Sequence, residues 1–267
     1  MTRFLAFFGT LALDMAAGVR RGVEESDRHV LLLVRALIWL VRPPFRFREI
    51  VRQFDFVGVQ SVPLICITGA FTGMVLALQG DFALRKFGGE SLVGAGVALS
   101  LTRELGPVIG ALMVVARAGS AFAAEIGTMM NTEQIDALAS MAVDPIQYLV
   151  VPRILAATIS LPLLAILFEF SGMIGAYVIA TKHIGIDAGA FMAGVREWVW
   201  TEDITHGLIK SVVFGLILSL VSCCKGFFVT GGARGVGLAT TRAVVLSSLL
   251  ILASDYMMTE LMFQPSS

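Results

Sequence analysis

Charge is scarce in this sequence. Only 15% of its 267 residues are Asp, Glu, Lys or Arg, while 57% are hydrophobic. A water-soluble domain carries roughly 25% charge and 45–50% apolar residues, so the composition argues against a soluble globule and against disorder. Twenty basic and twenty acidic residues cancel to a formal net charge of +0, which leaves no global field to attract nucleic acid. Cysteine is scarce too. Cys66, Cys223 and Cys224 are too few for a disulfide framework, and all lie in apolar stretches where a thiol packs as a small hydrophobe. His29, His183 and His206 lack metal-ligand spacing. No G-x-S-x-G elbow and no G-x-x-x-x-G-K-[ST] phosphate loop occurs. The Gly-rich run at 231–237 has no lysine and no strand before it, and reads as a flexible loop. These absences argue against ATP hydrolysis by the chain itself and against catalysis on a covalent substrate.

What the sequence has instead is length without charge. A membrane span needs about 20 mostly apolar residues, and five stretches qualify: 56–80, within 92–123, within 146–181, 207–229 and 243–263. The second and third exceed what one upright helix needs, which calls for an extension beyond the bilayer or a tilt. Splitting the third at Pro162 gives a six-span alternative. The expected fold is all-α and polytopic, with a region 1–52 ahead of a five-span domain 53–267.

Lys and Arg near span ends set orientation. The first 52 residues carry nine Arg and no Lys, which places the N-terminus inside. Five spans then put the C-terminus outside, 124–147 and 225–242 inside, and 81–91 and 182–206 outside. Segment 124–147 disagrees, with no Lys or Arg and four acids, Glu125, Glu133, Asp136 and Asp144, but acids count little in the rule. Ahead of the spans, Phe4, Phe7, Phe8, Leu11 and Met15 recur at helical spacing, and 29–41 holds a short apolar run stopped by Pro43-Pro44. Runs this short favour an interfacial helix held by Arg against anionic headgroups. A cleaved signal peptide is the rival for 1–20, and Asp14 and Arg20-Arg21 fit it poorly.

Segment 131–145 reads as a short surface helix, capped by Asn131 or Thr132 with Gln134 completing a capping box, and stopped by Asp144-Pro145. Ile135, Leu138 and Ala142 are expected on one face. Docking in a partner's groove and a solvated connector are both open. Charges inside spans are functional candidates by default. Arg103 and Glu104 are adjacent, about 100° apart on a helix, and suit a salt bridge inside the bundle, a register-setting pair or a lipid headgroup site. Arg117, Arg153, Glu169 and Asp255 are weaker cases, because each could snorkel to an interface. Gly69-x-x-x-Gly73 and Gly106-x-x-x-Gly110 would let helices approach closely.

The stretch 101–145, LTRELGPVIGALMVVARAGSAFAAEIGTMMNTEQIDALASMAVDP, resembles the MlaE family of permeases. VRQFDFVGVQS (51–61), GMVLALQG (73–80), PRILAATISLPLL (152–164), IKSVVFG (209–215) and ATTRAVVLSSL (239–249) extend the resemblance along most of the chain, with 1–50 and 182–206 unmatched. The resemblance implies an N-terminal interfacial helix, five spans and a homodimer in the bacterial inner membrane. It implies the permease subunit of an ATP-driven transporter moving phospholipids between inner and outer membranes, which maintains outer-membrane lipid asymmetry. No cofactor is expected in this chain; ATP and Mg belong to an MlaF-like ATPase. An MlaB-like STAS protein binds the ATPase, and an MlaD-like MCE hexamer sits on the periplasmic side. Glu133, Gln134, Ile135, Asp136 and Leu138 map to the helix that couples to the ATPase, with Ile135 and Leu138 expected in its groove and Glu133 and Asp136 at its rim. Arg52, Arg103, Glu104 and Arg242 map to the lipid cavity, and Asp255 to a structural or gating position. Arg103 is then expected at the headgroup, with Glu104 orienting it or a partner arginine such as Arg242. Glu169 has no place in that pattern. A proton-driven transporter using Glu104 or Glu169, and a scaffold that only anchors the MCE ring, are the competing functions.

Overall fold

Hydrocarbon offers no hydrogen bonds, so a spanning segment must satisfy its own backbone, and the apolar runs here become helices. The computed structural model describes residues 47–85, Gly89 and 92–262, together with Leu31, Leu32, Val34, Arg35, Ile38 and Trp39. Among the described residues there is no strand. The helices are α1 (Phe47–Val57), α2 (Val62–Leu84), α3 (Val93–Ser100), α4 (Gly106–Val114), α5 (Ser120–Asn131), α6 (Gln134–Ser140), α7 (Val151–Ile179), α8 (Ala188–Trp198), α9 (Thr201–Phe227) and α10 (Gly232–Met262). Five continuous runs are long and apolar enough to cross a membrane: Phe47–Leu84, Val93–Asn131, Ile146–Ile184, Thr201–Phe227 and Gly232–Met262. Pro162 lies inside α7 without ending it, so the third stretch stays one span.

Three of these runs are interrupted rather than straight. A 3-10 turn, Val59–Ser61, separates α1 from α2 just ahead of Pro63. Wide π turns, Leu101–Leu105 and Val115–Gly119, divide the second run, and another, Ile146–Val150, precedes Pro152 in the third. Proline lacks the N–H that an α-helix needs and crowds the carbonyl one turn back, so Pro63, Pro107 and Pro152 each sit just beyond a break. The boundary at 52 falls inside α1. Phe4 to Met15 and the rest of 1–30 lie outside the described residues. Further along, Leu31, Val34 and Ile38 are exposed, while Leu32 is buried and Trp39 packs beside it on the molecule.

Helix α7 is the centre, touching α1, α2, α4 and α9. Its contact with α2 is backbone to backbone: a Cβ on Gly73 would lie 1.9 Å from the carbonyl oxygen of Gly172, and one on Gly69 2.6 Å from that of Phe168. The expected close approach at Gly69 and Gly73 is therefore present. In the second glycine pair only Gly106 is pressed against a neighbour, the Glu169 side chain, and Gly110 faces open space. The run at 231–237 is not a loop. Gly231 and Gly232 turn the chain at φ +93° and +63°, and α10 begins there. Helices α2 and α10 turn Phe71, Val75 and Phe82, and Val245, Leu249 and Leu252, outward.

Candidate functional site

The π turn Leu101–Leu105 carries Arg103 and Glu104, both half-exposed, toward the buried Lys210 and Asp203. Pro107 would have supplied the N–H for the Arg103 carbonyl, four residues back, and cannot. Lys210 of α9 supplies it instead, its ammonium donating to Arg103 O at 3.2 Å. The same ammonium donates to Glu104 Oε2 at 2.9 Å and to Thr259 Oγ1 of α10 at 2.7 Å. Those bonds use its three N–H groups. Asp255 Oδ1 adds an ion pair at 2.9 Å outside hydrogen-bond geometry. Lys210 has 0% exposure, while the Glu104 side chain keeps 38%. One lysine thus ties three spans together and closes a proline break. A cation this deep persists only with such pairing.

Arg103 belongs to a second, adjacent pair. Its Nε donates to Asp203 Oδ1 at 2.7 Å, with 36% of the Arg103 side chain exposed and 5% of Asp203. Asp203 Oδ2 also accepts the Trp200 N–H and so fixes the start of α9. The structure thus corrects the expected partners. Glu104 is held by Lys210 and Thr259, not by Arg103. Arg242 is exposed on α10, thirteen residues from Asp255, or roughly 20 Å along a helix, so it does not reach Glu104. Arg103, Glu104 and Asp255 come together; Arg52 and Arg242 lie elsewhere. Arg52 is exposed on α1, at a cavity of about 390 Å³ shared with Glu49, Gln53, Glu125, Tyr148 and Arg153. Lys210, Asp203 and Thr259 were missed by sequence reasoning. The available signal was Lys210, a cation well inside a span whose charge had to be met by an interior carboxylate.

At the other end, α6 is held between two residues in the left-handed region, Glu133 at φ 58° and Ala142 at φ 59°. The expected cap is not formed. Asn131 ends α5, Thr132 bonds back to Thr128, and Glu133 occupies the cap position with no side-chain bond. Asp144 caps the following turn by accepting from Ile146 N at 2.8 Å. Ile135, 6% exposed, packs with Ile126, Leu149, Val150 and Leu32, and Leu138 lies against that cluster. Ile135, on the apolar face of α6, therefore meets its own chain, and Leu138 stays part-exposed. Ala142 lies beyond the helix. Glu133, Gln134, Asp136, Ala137, Ala139, Ser140, Met141 and Ala142 are exposed.

Arg117 and Arg153, read as interfacial, are structural fasteners. Arg117 donates to Phe56 O at 2.8 Å, Ser61 Oγ at 2.9 Å and Gln60 Oε1 at 2.9 Å. Arg153 donates to Leu149 O at 2.7 Å and pairs with Glu125 at 2.5 Å. No group of His, Cys, Asp and Glu suited to a metal occurs among the described residues.

Five helical spans around a buried charge network define a polytopic helical membrane protein. The permease MlaE family profile matches residues 50–261, and the chain belongs to that family. It is 42% identical over 264 residues to the intermembrane phospholipid transport system permease protein MlaE of Haemophilus influenzae, covering 98% of each chain. It is 44% identical over 225 residues to a probable ABC transporter permease protein of Rickettsia conorii, covering 84% of this chain and 87% of that one. The chloroplastic protein TRIGALACTOSYLDIACYLGLYCEROL 1 of Arabidopsis thaliana is 35% identical over 230 residues, 86% of this chain and 66% of its own length.

Proposed function

We propose that this chain is the membrane permease of an ATP-driven phospholipid transporter working between inner and outer membranes and so maintaining outer-membrane lipid asymmetry. The observation that carries it is the end-to-end similarity to the Haemophilus permease. Two copies would face each other across the apolar sides of α2 and α10. The bound lipid would sit between them in the inner membrane, where half-exposed Arg103 and Glu104 meet it. Both carry a fixed counter-ion, Asp203 and Lys210. Such compensated charges can orient a zwitterionic or anionic headgroup without holding it too tightly to leave. Arg52 and Arg242 would meet headgroups nearer the cytoplasmic end. An MlaF-like ATPase, holding ATP and Mg, would dock on the exposed side of α6 around Gln134, Asp136 and Met141, with an MlaB-like STAS protein on the ATPase. An MlaD-like MCE hexamer would cover the end bearing α8.

The test is reconstitution of the chain with its ATPase in phospholipid vesicles containing a fluorescent phospholipid. ATP-dependent lipid movement that stops in Arg103→Ala, with hydrolysis retained, is the expected result. Lipid movement by the permease alone under a proton gradient would instead establish the proton-driven alternative.

A further inference from the structure

The end of the molecule bearing α6 contains a stack of four side chains from four different segments. The Arg117 guanidinium lies over the Phe56 ring, 5.0 Å from its centroid. Phe56 packs on Phe122 with centroids 6.0 Å apart. The Arg153 guanidinium covers Phe122 at 5.4 Å. The order is cation, ring, ring, cation, and it joins the π turn Val115–Gly119, α1, α5 and the start of α7. Phe122 has 0% exposure and Arg153 5%, so their end of the stack is shielded from water, where a cation over a ring is worth most, while Phe56 and Arg117 are part-exposed. Polar bonds fix both ends: Arg117 to the break between α1 and α2, and Arg153 to Glu125.

We infer that this stack is the joint through which displacement of α6 reaches α1, with Arg117 as a positioning residue for lipid transport; the inference rests on the permease reading above. Helix α5 runs unbroken from the π turn holding Arg117 to Asn131, beside α6, a lever of roughly 18 Å. It is fastened at Arg117 and, eight residues on, at Glu125. The segment beyond the stack, α1, carries Arg52 one turn from Phe56. The Arg117 bonds join the 3-10 turn Val59–Ser61 to a π turn, and Arg153 follows the π turn Ile146–Val150, while Glu125 lies within the unbroken helix. Interruptions of this kind are where a helix bends. Moving α6 must therefore either break the Arg117 bonds or carry α1 with it. Because Arg117 uses both arms of its fork on the break, lysine would keep the charge but not the grip.

The experiment uses the full chain with its ATPase in phospholipid vesicles, reading ATP hydrolysis and fluorescent phospholipid movement on the same samples. Arg117→Gln should keep hydrolysis within about twofold of wild type and lower lipid moved per ATP by about tenfold or more, the scale of losing charge-assisted bonds. Arg117→Lys should fall between. Phe122→Leu, which keeps an apolar core residue, should uncouple in the same sense. Transport and hydrolysis falling together with the yield of folded complex would overturn the inference, as would unchanged lipid per ATP in all three. Hydrogen exchange on the purified permease supplies an independent readout. Arg117→Gln should speed exchange at 54–61 while leaving α7 unaltered, and equal protection there would also overturn it. If the wild-type complex moves no phospholipid, the permease reading fails, and the joint is judged on exchange alone.

Discussion

At the scale of single residues, the structure turns on cations used as backbone clamps. Lys210 closes the carbonyl that Pro107 leaves open, Arg117 takes that of Phe56 beside the break before Pro63, and Arg153 takes that of Leu149 before Pro152. An apolar medium makes an open carbonyl costly, so each interrupted helix is accompanied by a charge, and each charge by a carboxylate or amide. Sequence reasoning found Arg103 and Glu104 as interior charges, because composition alone makes them conspicuous, and left Asp255 as a weaker case that could snorkel to an interface. It could not pair them, since pairing depends on the depth and rotation of three helices relative to one another, which no local pattern records. Lys210→Met should therefore leave Glu104 and Asp255 without their cation and lower stability by about 3–5 kcal/mol. Adding Glu104→Gln should recover part of that loss. Thermal unfolding of the purified chain in detergent checks both, and a Lys210→Met protein as stable as wild type would dispose of the network. The Arg103→Ala, Asp203→Asn pair should behave likewise, the double variant being more stable than Arg103→Ala alone, because Asp203 would otherwise stay buried and uncompensated.

At the scale of elements, α6 shows what periodicity can and cannot say. The spacing of Ile135 and Leu138 marked an apolar face, and that face exists. Whether it meets a partner or its own chain is invisible to a pattern that is the same in both cases. The cap was missed for a different reason: Glu133 adopts a left-handed conformation uncommon for a non-glycine residue, set by the tight turn out of α5. The five spans were legible because each is long and nearly free of charge. Their interruptions were less so, since a π turn leaves no compositional mark and only the prolines hint at it. Two consequences separate the faces of α6. Ile135→Ala should cost about 2–4 kcal/mol of stability, as expected for emptying a buried site, seen as a lower unfolding temperature with or without the ATPase. Asp136→Lys, on the exposed side, should leave unfolding unchanged and weaken retention of the ATPase in co-purification by about tenfold or more. Equal retention of the ATPase by Asp136→Lys would move the docking surface away from this helix.

At the scale of the whole molecule, the two ends of the bundle differ. Ile135 of α6 shares a cluster with Leu32 and Trp39, and α1 begins beside α5 and the π turn Ile146–Val150, around the cavity that Arg52 lines. Leu32, Trp39, the start of α1 and α6 therefore lie at one end of the bundle. Helix α8 lies at the other, against α3. Its N-terminus is fixed by Asp187, which accepts from Ala190 N at 3.0 Å. Five spans are an odd number, so Phe47 and Met262 are expected on opposite faces of the membrane. Nine arginines ahead of the first span predict that the α6 end lies in the cytoplasm, where an ATPase could reach it, and that α8 lies in the periplasm. The acidic segment around α6 does not overturn this, because Glu125 is neutralised by Arg153 within the chain. A membrane-impermeant thiol reagent applied to spheroplasts should label Glu197→Cys on α8 at once. Ser140→Cys on α6 should be labelled only after the membrane is opened. Both positions are exposed and outside the packed core, and Cys66→Ala in the background removes the native thiol that is not fully buried. Immediate labelling of Ser140→Cys with protection of Glu197→Cys would invert the protein. Labelling of both from outside would put α6 and α8 on one face, which an intact third span between them, Ile146–Ile184, forbids.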